Sequence, residues 1–311
     1  MENKILGLHH ITAIAADAKR NYDFYTKVLG LRMVKKTVNF DDPGTYHFYF
    51  GDEKGTPGTI LTFFPWEGIG PGRTGVGMAT DIGYSVPENS FAFWADRFKK
   101  FNIKYSEPAE RFGEQYLSFR DPDGLNIDLI VSNTEDIRKS WETEEVKADA
   151  AIKGFHSVTL TLKSVNATAE ILTGVLGYKL LKQDGNRYRF ITDAIESAAI
   201  VDIIELPQSP SGYNAAGTNH HIAFRVKDDD ILMDYREKIA AKGLSITPKI
   251  DRDYFFSLYF REPGGVLFEL ATDNPGFTKD EPLNELGTNL KLPKQYEPSR
   301  AEIEKVLPSL G

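Results

Sequence analysis

The 311-residue sequence contains no cysteine. Disulfides and thiolate metal sites are therefore excluded, and any metal site must be built from His, Asp or Glu. No stretch approaches the roughly 20 consecutive apolar residues that a membrane-spanning helix needs. The N-terminus also lacks the basic-then-apolar pattern of a secretion signal. From these absences we expect a soluble, cytoplasmic protein.

Basic residues are also in deficit. Lys and Arg together number 37 against 45 Asp and Glu, which gives a formal net charge of −8, and no basic run or stripe is present. This balance argues against nucleic acid and against anionic membrane surfaces as partners. Apolar residues make up 41% of the chain, enough for a sizeable core. We therefore expect a small-molecule partner, and self-association into a homo-oligomer is left open.

The chain repeats one pattern four times. Four segments begin alike, with a short β-rich run after a glycine: GLHHITAIA from Gly7, GMATDIGYSV from Gly77, GFHSVTLTL from Gly154 and GTNHHIAFRV from Gly217. Each is followed by a helix-compatible stretch and then by three more β-like runs. The pattern predicts an α+β fold of four βαβββ modules rather than a solenoid, because the unit spacing is roughly 60–80 residues.

The modules fall into two halves. The first two occupy residues 1–135 and the last two occupy residues 150–275, and the charged segment 134–151 links them. The remaining residues, 276–311, are rich in Pro, Glu and Lys. We expect this extension to lie over the domain surface, with one helix near 299–307.

The histidines are few and regularly placed. Of the six in the chain, four form two adjacent pairs, His9-His10 and His220-His221, at the same position of the first strand in the first and last modules. Scattered surface histidines would rarely show this spacing. An isolated histidine is more often an ordinary core residue, but two matched pairs favour a functional site.

Strand alternation indicates which residues converge, because successive side chains point to opposite faces. His220 shares a face with the apolar Ile222, so His221 is expected on the opposite face, lining a cavity. In the closing strand, Glu269 alternates with apolar residues, and a buried carboxylate there is costly unless it is paired or binds a metal. His221 and Glu269 are thus predicted to meet, with His10 as third ligand if the first module packs against the fourth.

Two histidines and one carboxylate on one face of a divalent cation form the facial triad of non-haem iron(II) oxygen chemistry. Zinc accepts the same ligands, so the set alone does not fix the metal. In the middle modules Ser157 replaces His10, Asp81 replaces His221 and Asp128 replaces Glu269. We interpret these as a degenerate second site without iron, where Asp81 and Asp128 leave a weak calcium or magnesium site open.

These residues resemble the vicinal oxygen chelate superfamily, which includes glyoxalases, bleomycin resistance proteins and extradiol dioxygenases. The strings GLHHITAIA, TNHHIAFRV, REPGGVLFELATD and DEPLNELGTNLKLPKQYEP are similar to hydroquinone-specific ring-cleaving dioxygenases over nearly the whole chain. The resemblance implies modules paired into two cupped half-barrel domains, residues 1–135 and 150–275, followed by the C-terminal extension.

The resemblance further implies an Fe(II) cofactor, with Mn(II) also open, held by His10, His221 and Glu269. It implies catalytic roles for His220, Tyr259 and Arg252, and pocket or metal-supporting roles for His9 and Thr12. The residues alone support these roles unevenly: Tyr259 could equally be a core aromatic, and Arg252 lies in a charged loop. The role of His47 is left open between a structural histidine and a residue that supports the metal ligands.

The implied activity is extradiol-type cleavage of hydroquinones by O₂. One alternative is a glyoxalase-type isomerase or metal hydrolase using zinc or nickel. It is disfavoured because glyoxalase sites usually have a second carboxylate and the matching position, near Thr62, is not acidic. Another alternative is a non-catalytic protein that binds aromatic compounds or quinones, which would not need an intact triad.

Overall fold

The computed structural model describes residues 4–311. It contains four βαβββ units, as the repeats predicted. The strands and helices of the first two units are β1 Leu8–Ala15, α1 Ala18–Asp23, β2 Arg32–Val38, β3 Tyr46–Gly51, β4 Ile60–Pro65, β5 Met78–Ser85, α2 Phe91–Lys100, β6 Ala109–Arg111, β7 Glu114–Arg120 and β8 Asn126–Val131. Those of the last two units are β9 Gly154–Leu162, α3 Asn166–Gly174, β10 Lys179–Asp184, β11 Arg187–Ile191, β12 Ile200–Glu205, β13 Thr218–Val226, α4 Asp229–Ala241, β14 Ile250–Asp251, β15 Phe255–Arg261 and β16 Leu267–Pro275.

Local sequence signals set the helix ends. The Asp17 side chain accepts from the backbone N–H of Arg20 at the start of α1, and Asp228 caps the start of α4 in the same way. A short π-helical segment, Phe24–Val28, continues α1. Gly30 and Gly177, which follow the first and third helical segments, have positive φ angles of 70° and 75°. Both glycines therefore end a helix in a conformation that costs other residues more.

The units pair across the chain rather than along it. The first sheet has the strand order β14-β15-β16-β13-β1-β4-β3-β2, and the second has the order β10-β11-β12-β9-β5-β8-β7-β6. Units one and four thus share one curled sheet, and units two and three share the other. The ranges 1–135 and 150–275 each supply one unit to each sheet. Their division of the chain into two domains stays a prediction. The pairing of β1 with β13 brings the first strand of the chain beside its last unit.

Each half-barrel buries its convex face under helices. In the first sheet Ile222, Phe224 and Phe268 are fully buried and belong to the main hydrophobic core. Ala223 and Ala271, on the opposite side of the same strands, belong to a smaller apolar cluster with Tyr49 and Phe255. This concave side of the first sheet is called the first cup below, and the concave side of the second sheet is the second cup.

The C-terminal extension packs along the edge strand β2. Lys35 is fully buried, and its Nζ lies 2.6 Å from Asp280 and 2.5 Å from Glu281. Farther along, Leu290 forms a parallel bridge with Lys36. The extension ends in α5, Arg300–Val306, close to the predicted helix. It therefore covers an edge that would otherwise expose unpaired backbone groups.

No helix in the described part of the chain is long and apolar enough to cross a membrane.

Candidate metal centre

Two β-bulges position the histidine pairs. Between β1 and β13, Leu8 and His10 face the consecutive residues Phe224 and Ala223, so His9 is an extra residue in its strand. His220 is the extra residue on the other strand, because Thr12 and Ala13 face His221 and Asn219. A bulge breaks the side-chain alternation and re-aims a side chain. Both members of each pair can therefore lie near the same site.

His10, His221 and Glu269 converge at the bottom of the first cup. The Nε2 atoms of His10 and His221 lie 3.1 Å and 2.9 Å from Oε2 of Glu269. All three side chains are buried, and the carboxylate is fully so. Within residues 4–311 these three form the one group of at least three His, Asp or Glu side chains with ligand atoms within 4.8 Å of one another.

This arrangement fits a divalent cation. The other oxygen of Glu269, Oε1, accepts a hydrogen bond from Ser257, whereas Oε2 is buried without a hydrogen-bond partner. Two ligands about 2.1 Å from a cation and at right angles to each other lie about 3.0 Å apart. The two observed distances match that value. A cation held by the three atoms would satisfy the orphaned oxygen and keep positions open towards the cavity.

The neighbouring histidines orient the ligands. His9 Nε2 lies 3.1 Å from the carbonyl oxygen of Thr272, and its Nδ1 lies 3.0 Å from His10 Nδ1. His9 therefore donates from Nε2 and accepts at Nδ1, so His10 carries its proton on Nδ1 and keeps the Nε2 lone pair for a metal. His221 and His220 repeat the contact, with 2.8 Å between their Nδ1 atoms. Such partners fix the tautomer and ring angle of metal-binding histidines.

Burial and charge keep the site ready for a cation. Burial alone would raise the pKa of Glu269, but His10 and His221 hold that pKa well below its usual range, so the carboxylate is ionised. Burial lowers the pKa of His221 and lowers that of His9 well below its usual range. Burial, with His221 beside it, lowers the pKa of His220 to about 3. Neutral imidazoles and an ionised carboxylate are the forms that bind metals.

A cavity of about 390 Å³ opens beside His10 and His221. Aromatic and apolar side chains form most of its wall, together with a few polar groups. Its lining residues are His10, Thr12, Asn39, Phe40, Asp41, Asp42, His47, Tyr49, Phe64, Trp66, His220, His221, Arg252, Phe255, Tyr259 and Leu267. An apolar cavity with a few convergent polar groups is the usual form of a small-molecule site.

The structure places most of the predicted site residues on this cavity. Arg252 Nε donates to the hydroxyl of Tyr259 at 3.3 Å, so the arginine lies in the cavity wall rather than in solvent. His220 lines the cavity as well. Strand alternation had grouped His220 with Ile222 on the helix-facing side, which is wrong because the bulge turns it. His9 does not line the cavity; it lies behind His10, against the ring of Phe255.

Sequence reasoning missed two supports of the site. Ser257, which binds Glu269, lies two residues before Tyr259 on the same strand and face, so strand alternation could have identified it. Phe255 packs its ring 5.0 Å from that of His10. A phenylalanine in a β-run carries no signal that separates it from a core residue. His47, left open above, bonds Tyr49 and Thr62 inside the cavity wall.

The second cup holds arginine–carboxylate ion pairs, whereas the first holds the metal-binding residues. Bulges at Thr80 and His156 put Asp81 and Ser157 at the positions of His221 and His10, as the repeat alignment predicted. Asp81 accepts from Thr80 at 2.6 Å, and burial raises its pKa. Asp128, at the Glu269 position, pairs with Arg111 at 2.9 Å. A guanidinium already neutralises Asp128, which disfavours the calcium or magnesium site.

A second ion pair fills the same cup. Asp202 takes the position that Thr62 has in the first sheet, since it pairs with Thr159, two residues after Ser157, as Thr62 pairs with Thr12, two residues after His10. Arg189 Nε lies 2.8 Å from Asp202, which is fully buried, and the same guanidinium bonds Glu114. The cup is thus neutralised by protein cations, and the metal-binding set is confined to the first cup within residues 4–311.

Comparison with known families decides the classification. A model of the Glyoxalase/Bleomycin resistance protein/Dioxygenase superfamily matches residues 7–129 and 154–270, more than half of the chain. The chain belongs to this superfamily. The two curled eight-stranded sheets are the fold that the family resemblance implied.

Relatives in the superfamily cover the whole chain. This chain is 48% identical over 311 residues to the "Putative ring-cleaving dioxygenase MhqO" of Bacillus subtilis (strain 168), and the match covers 99% of this chain and 97% of that protein. It is 35% identical over 315 residues to the chlorohydroquinone/hydroquinone 1,2-dioxygenase of Sphingobium indicum, covering 99% and 97%. A crystal structure of a "putative dioxygenase" from Bacillus subtilis superposes with a TM-score of 0.95 at 45% identity, covering 100% and 99%.

Proposed function

We propose that this superfamily member is a non-haem, Fe(II)-dependent, extradiol-type ring-cleaving dioxygenase that acts on hydroquinones. The observation that carries the proposal is the buried triad of His10, His221 and Glu269 at the base of an aromatic-lined cavity. The relative named a chlorohydroquinone/hydroquinone 1,2-dioxygenase supports the substrate class. Substituted hydroquinones and Mn(II) are included in the proposal, as is the cytoplasmic location expected from the sequence.

The reaction balances without a further cofactor. Cleavage of one carbon–carbon bond of the ring consumes one O₂, and both oxygen atoms enter the ring-opened product. No external reductant is therefore required. Fe(II) bound by the triad would supply a Lewis acid, a template for substrate and O₂, and a path for electrons from the ring to O₂.

The protein's own residues bind and orient the substrate. The rings of Phe64, Trp66 and Phe255 line the cavity and offer apolar faces to an aromatic ring. Arg252 and Tyr259, joined by their hydrogen bond, place donor groups on one side of that ring. They would hold a substrate hydroxyl away from the metal-binding atoms. Enclosure by these groups strengthens each polar contact, because water is displaced.

His220 is the neighbouring group that can move a proton. Its Nδ1 accepts from His221 when His221 binds through Nε2, so the proton of the neutral His220 ring is on Nε2, and His220 lines the cavity. That N–H would donate to an oxygen of the bound substrate or of O₂. His220 suits this donor role because it lies beside a metal ligand, and not because of its pKa.

Two alternatives remain less well supported. A glyoxalase-type isomerase or hydrolase would use zinc or nickel with a second carboxylate, yet the position related to Glu269 carries the hydroxyl of Thr62. A non-catalytic binder of aromatic compounds or quinones would not need His9 and His220 to fix the tautomers of two further histidines. The ordered triad therefore favours the dioxygenase.

The direct test is O₂ uptake. Metal-free protein loaded anaerobically with one Fe(II) per chain should consume one O₂ per hydroquinone and bleach the aromatic absorbance. Glu269→Gln should lose both iron and turnover. The proposal fails if fully iron-loaded protein leaves hydroquinone and O₂ unchanged. Equal activity with zinc alone, on a thiol adduct of an α-ketoaldehyde, would support the isomerase instead.

A further inference from the structure

The first unit contributes a continuous chain of four hydrogen-bonding side chains to the cavity wall. The Tyr49 hydroxyl lies 3.0 Å from His47 Nδ1, and His47 Nε2 lies 3.0 Å from the hydroxyl of Thr62. The Thr62 hydroxyl lies 2.8 Å from that of Thr12. All four side chains are buried, with His47 the most exposed at 8%. Tyr49, His47, Thr62 and Thr12 are called the hydroxyl relay below.

Chemistry fixes the direction of the relay at its far end. Within residues 4–311, the hydrogen-bond partner of the Tyr49 hydroxyl is His47 Nδ1. If Tyr49 only accepted a hydrogen bond there, its buried phenol proton would have no acceptor. Tyr49 therefore donates to Nδ1. The neutral His47 ring then carries its single proton on Nε2 and donates to Thr62. Burial lowers the pKa of His47 well below its usual range, which keeps the ring neutral.

The same direction continues to the cavity. Thr62 receives from His47, so its own proton goes to Thr12, the remaining partner of its hydroxyl within the described chain. Thr12 thus accepts from Thr62 and has its own O–H left to donate. Thr12 lines the cavity and faces His221 across the β1–β13 pair. The relay ends as a donor beside the metal-binding atoms.

The pseudo-symmetry of the first sheet shows where this donor acts. Units one and four are related through the Ile11–Ile222 pair, which matches His10 with His221. By the same relation Thr62 corresponds to Glu269, because each lies on the parallel neighbour of a first strand. His47 bonds Thr62 as Ser257 bonds Glu269. The relay therefore lies on the side of the metal site where the protein supplies no metal ligand.

We propose that Tyr49, His47 and Thr62 are positioning residues that hold the Thr12 hydroxyl as a hydrogen-bond donor to the substrate oxygen nearest the triad. The inference rests on the proposed function for its substrate, a hydroquinone. The relay sets the polarity of a group that could otherwise rotate, because a threonine hydroxyl both donates and accepts. Substrates with an acceptor oxygen at this point are favoured, and those with a hydrogen or methyl group there are disfavoured.

Binding of hydroquinone tests the relay. Anaerobic titration of the Fe(II)-loaded protein, followed by the fluorescence of Trp66 and the other tryptophans, gives the dissociation constant in each variant. Thr12→Val should weaken binding about 10-fold, the value of one lost hydrogen bond, and Thr12→Ser should restore it. Tyr49→Phe should weaken binding about 3- to 10-fold. Tyr46→Phe is the matched control, since that hydroxyl donates to Pro308 outside the cavity.

The double variant separates positioning from general packing. If Tyr49 acts through Thr12, then Tyr49→Phe adds nothing once Thr12 is valine, although the two side chains are not hydrogen-bonded to each other. Independent, additive losses would overturn the proposal, as would unchanged binding in Thr12→Val. Metal content and melting temperature of each variant are measured in parallel, so that loss of iron is not mistaken for loss of a hydrogen bond.

A second readout does not depend on the substrate. Nitrogen-15 NMR of the zinc-loaded protein should show His47 as the Nε2–H tautomer, and Tyr49→Phe should remove the hydrogen-bond shift at Nδ1. A Nδ1–H tautomer in the unaltered protein would overturn the direction of the relay. This result stands even if iron-loaded protein fails to bind hydroquinone, a failure that would count against the proposed function alone.

Discussion

Removing the hydroxyl of Ser257 should weaken metal binding without touching a metal ligand. Ser257 is fully buried and donates to Oε1 of Glu269, the oxygen that faces away from the two histidines. Loss of such a support typically lowers metal affinity by 10- to 100-fold. That range corresponds to about 1.4–2.7 kcal/mol of binding free energy.

The loss can be measured as a smaller thermal stabilisation by metal. A saturating ligand stabilises the folded state in proportion to the logarithm of its concentration over the dissociation constant. A chain of 311 residues unfolds with an entropy of about 0.65 kcal/mol/K near its midpoint. The metal-induced rise in Tm should therefore be about 2–4 °C smaller for Ser257→Ala than for the unaltered protein at the same excess of Mn(II).

A matched variant controls for the loss of a hydroxyl that donates to a carboxylate. Ser118→Ala removes a hydroxyl that donates to Asp128 at 2.5 Å in the second cup. It should lower the Tm of the metal-free protein yet leave the metal-induced rise unchanged. Calorimetry of both variants, with and without Mn(II), gives the comparison. An equal metal-induced rise in Ser257→Ala and the unaltered protein would refute the assignment of Glu269 as a supported ligand.

Two further predictions concern stability. Burial would raise the pKa of Glu114, but His156 and Arg189 lower it to about 2 from 4.5, so the carboxylate stabilises the fold above pH 4.5 and loses this effect as the pH falls towards 2. Glu114→Gln should lower the free energy of unfolding by up to about 3 kcal/mol at pH 7. Urea unfolding at several pH values should show the difference between the variant and the unaltered protein shrinking below pH 4.5. A difference independent of pH would contradict this. Phe277→Ala should cost about 3–5 kcal/mol, because this residue of the C-terminal extension is buried against Tyr49; a cost below about 1 kcal/mol in urea would show that the extension is loosely attached.

The repeats and strand periodicity were sufficient to predict the four units and the convergence of His221 with Glu269. Glu269 lies in an apolar strand, and a carboxylate buried there is costly unless it pairs with a cationic or hydrogen-bonding group or binds a metal. The pairing of the first unit with the fourth was a condition of the prediction rather than its result. Periodicity describes which face a residue takes within its own strand and contains no information on which strand lies beside it.

The bulges explain what sequence patterns could not show. His9 and His220 each add one residue to a strand, and the sequence of a bulge resembles that of a regular strand unless glycine marks it. Alternation therefore placed His220 on the wrong face. The ion pairs of the second cup were equally hidden, because Arg111, Arg189 and Asp202 lie in three separate β-runs. Their meeting depends on sheet order, which only the three-dimensional structure provides.

The most direct measurement for the central claim is a crystal structure of the Fe(II)-loaded protein with the iron located by its anomalous scattering. We predict one iron per chain, about 2.0–2.3 Å from His10 Nε2, His221 Nε2 and Glu269 Oε2, with its remaining positions open to the cavity. Iron bound elsewhere, or held by only two of these three atoms, would contradict it.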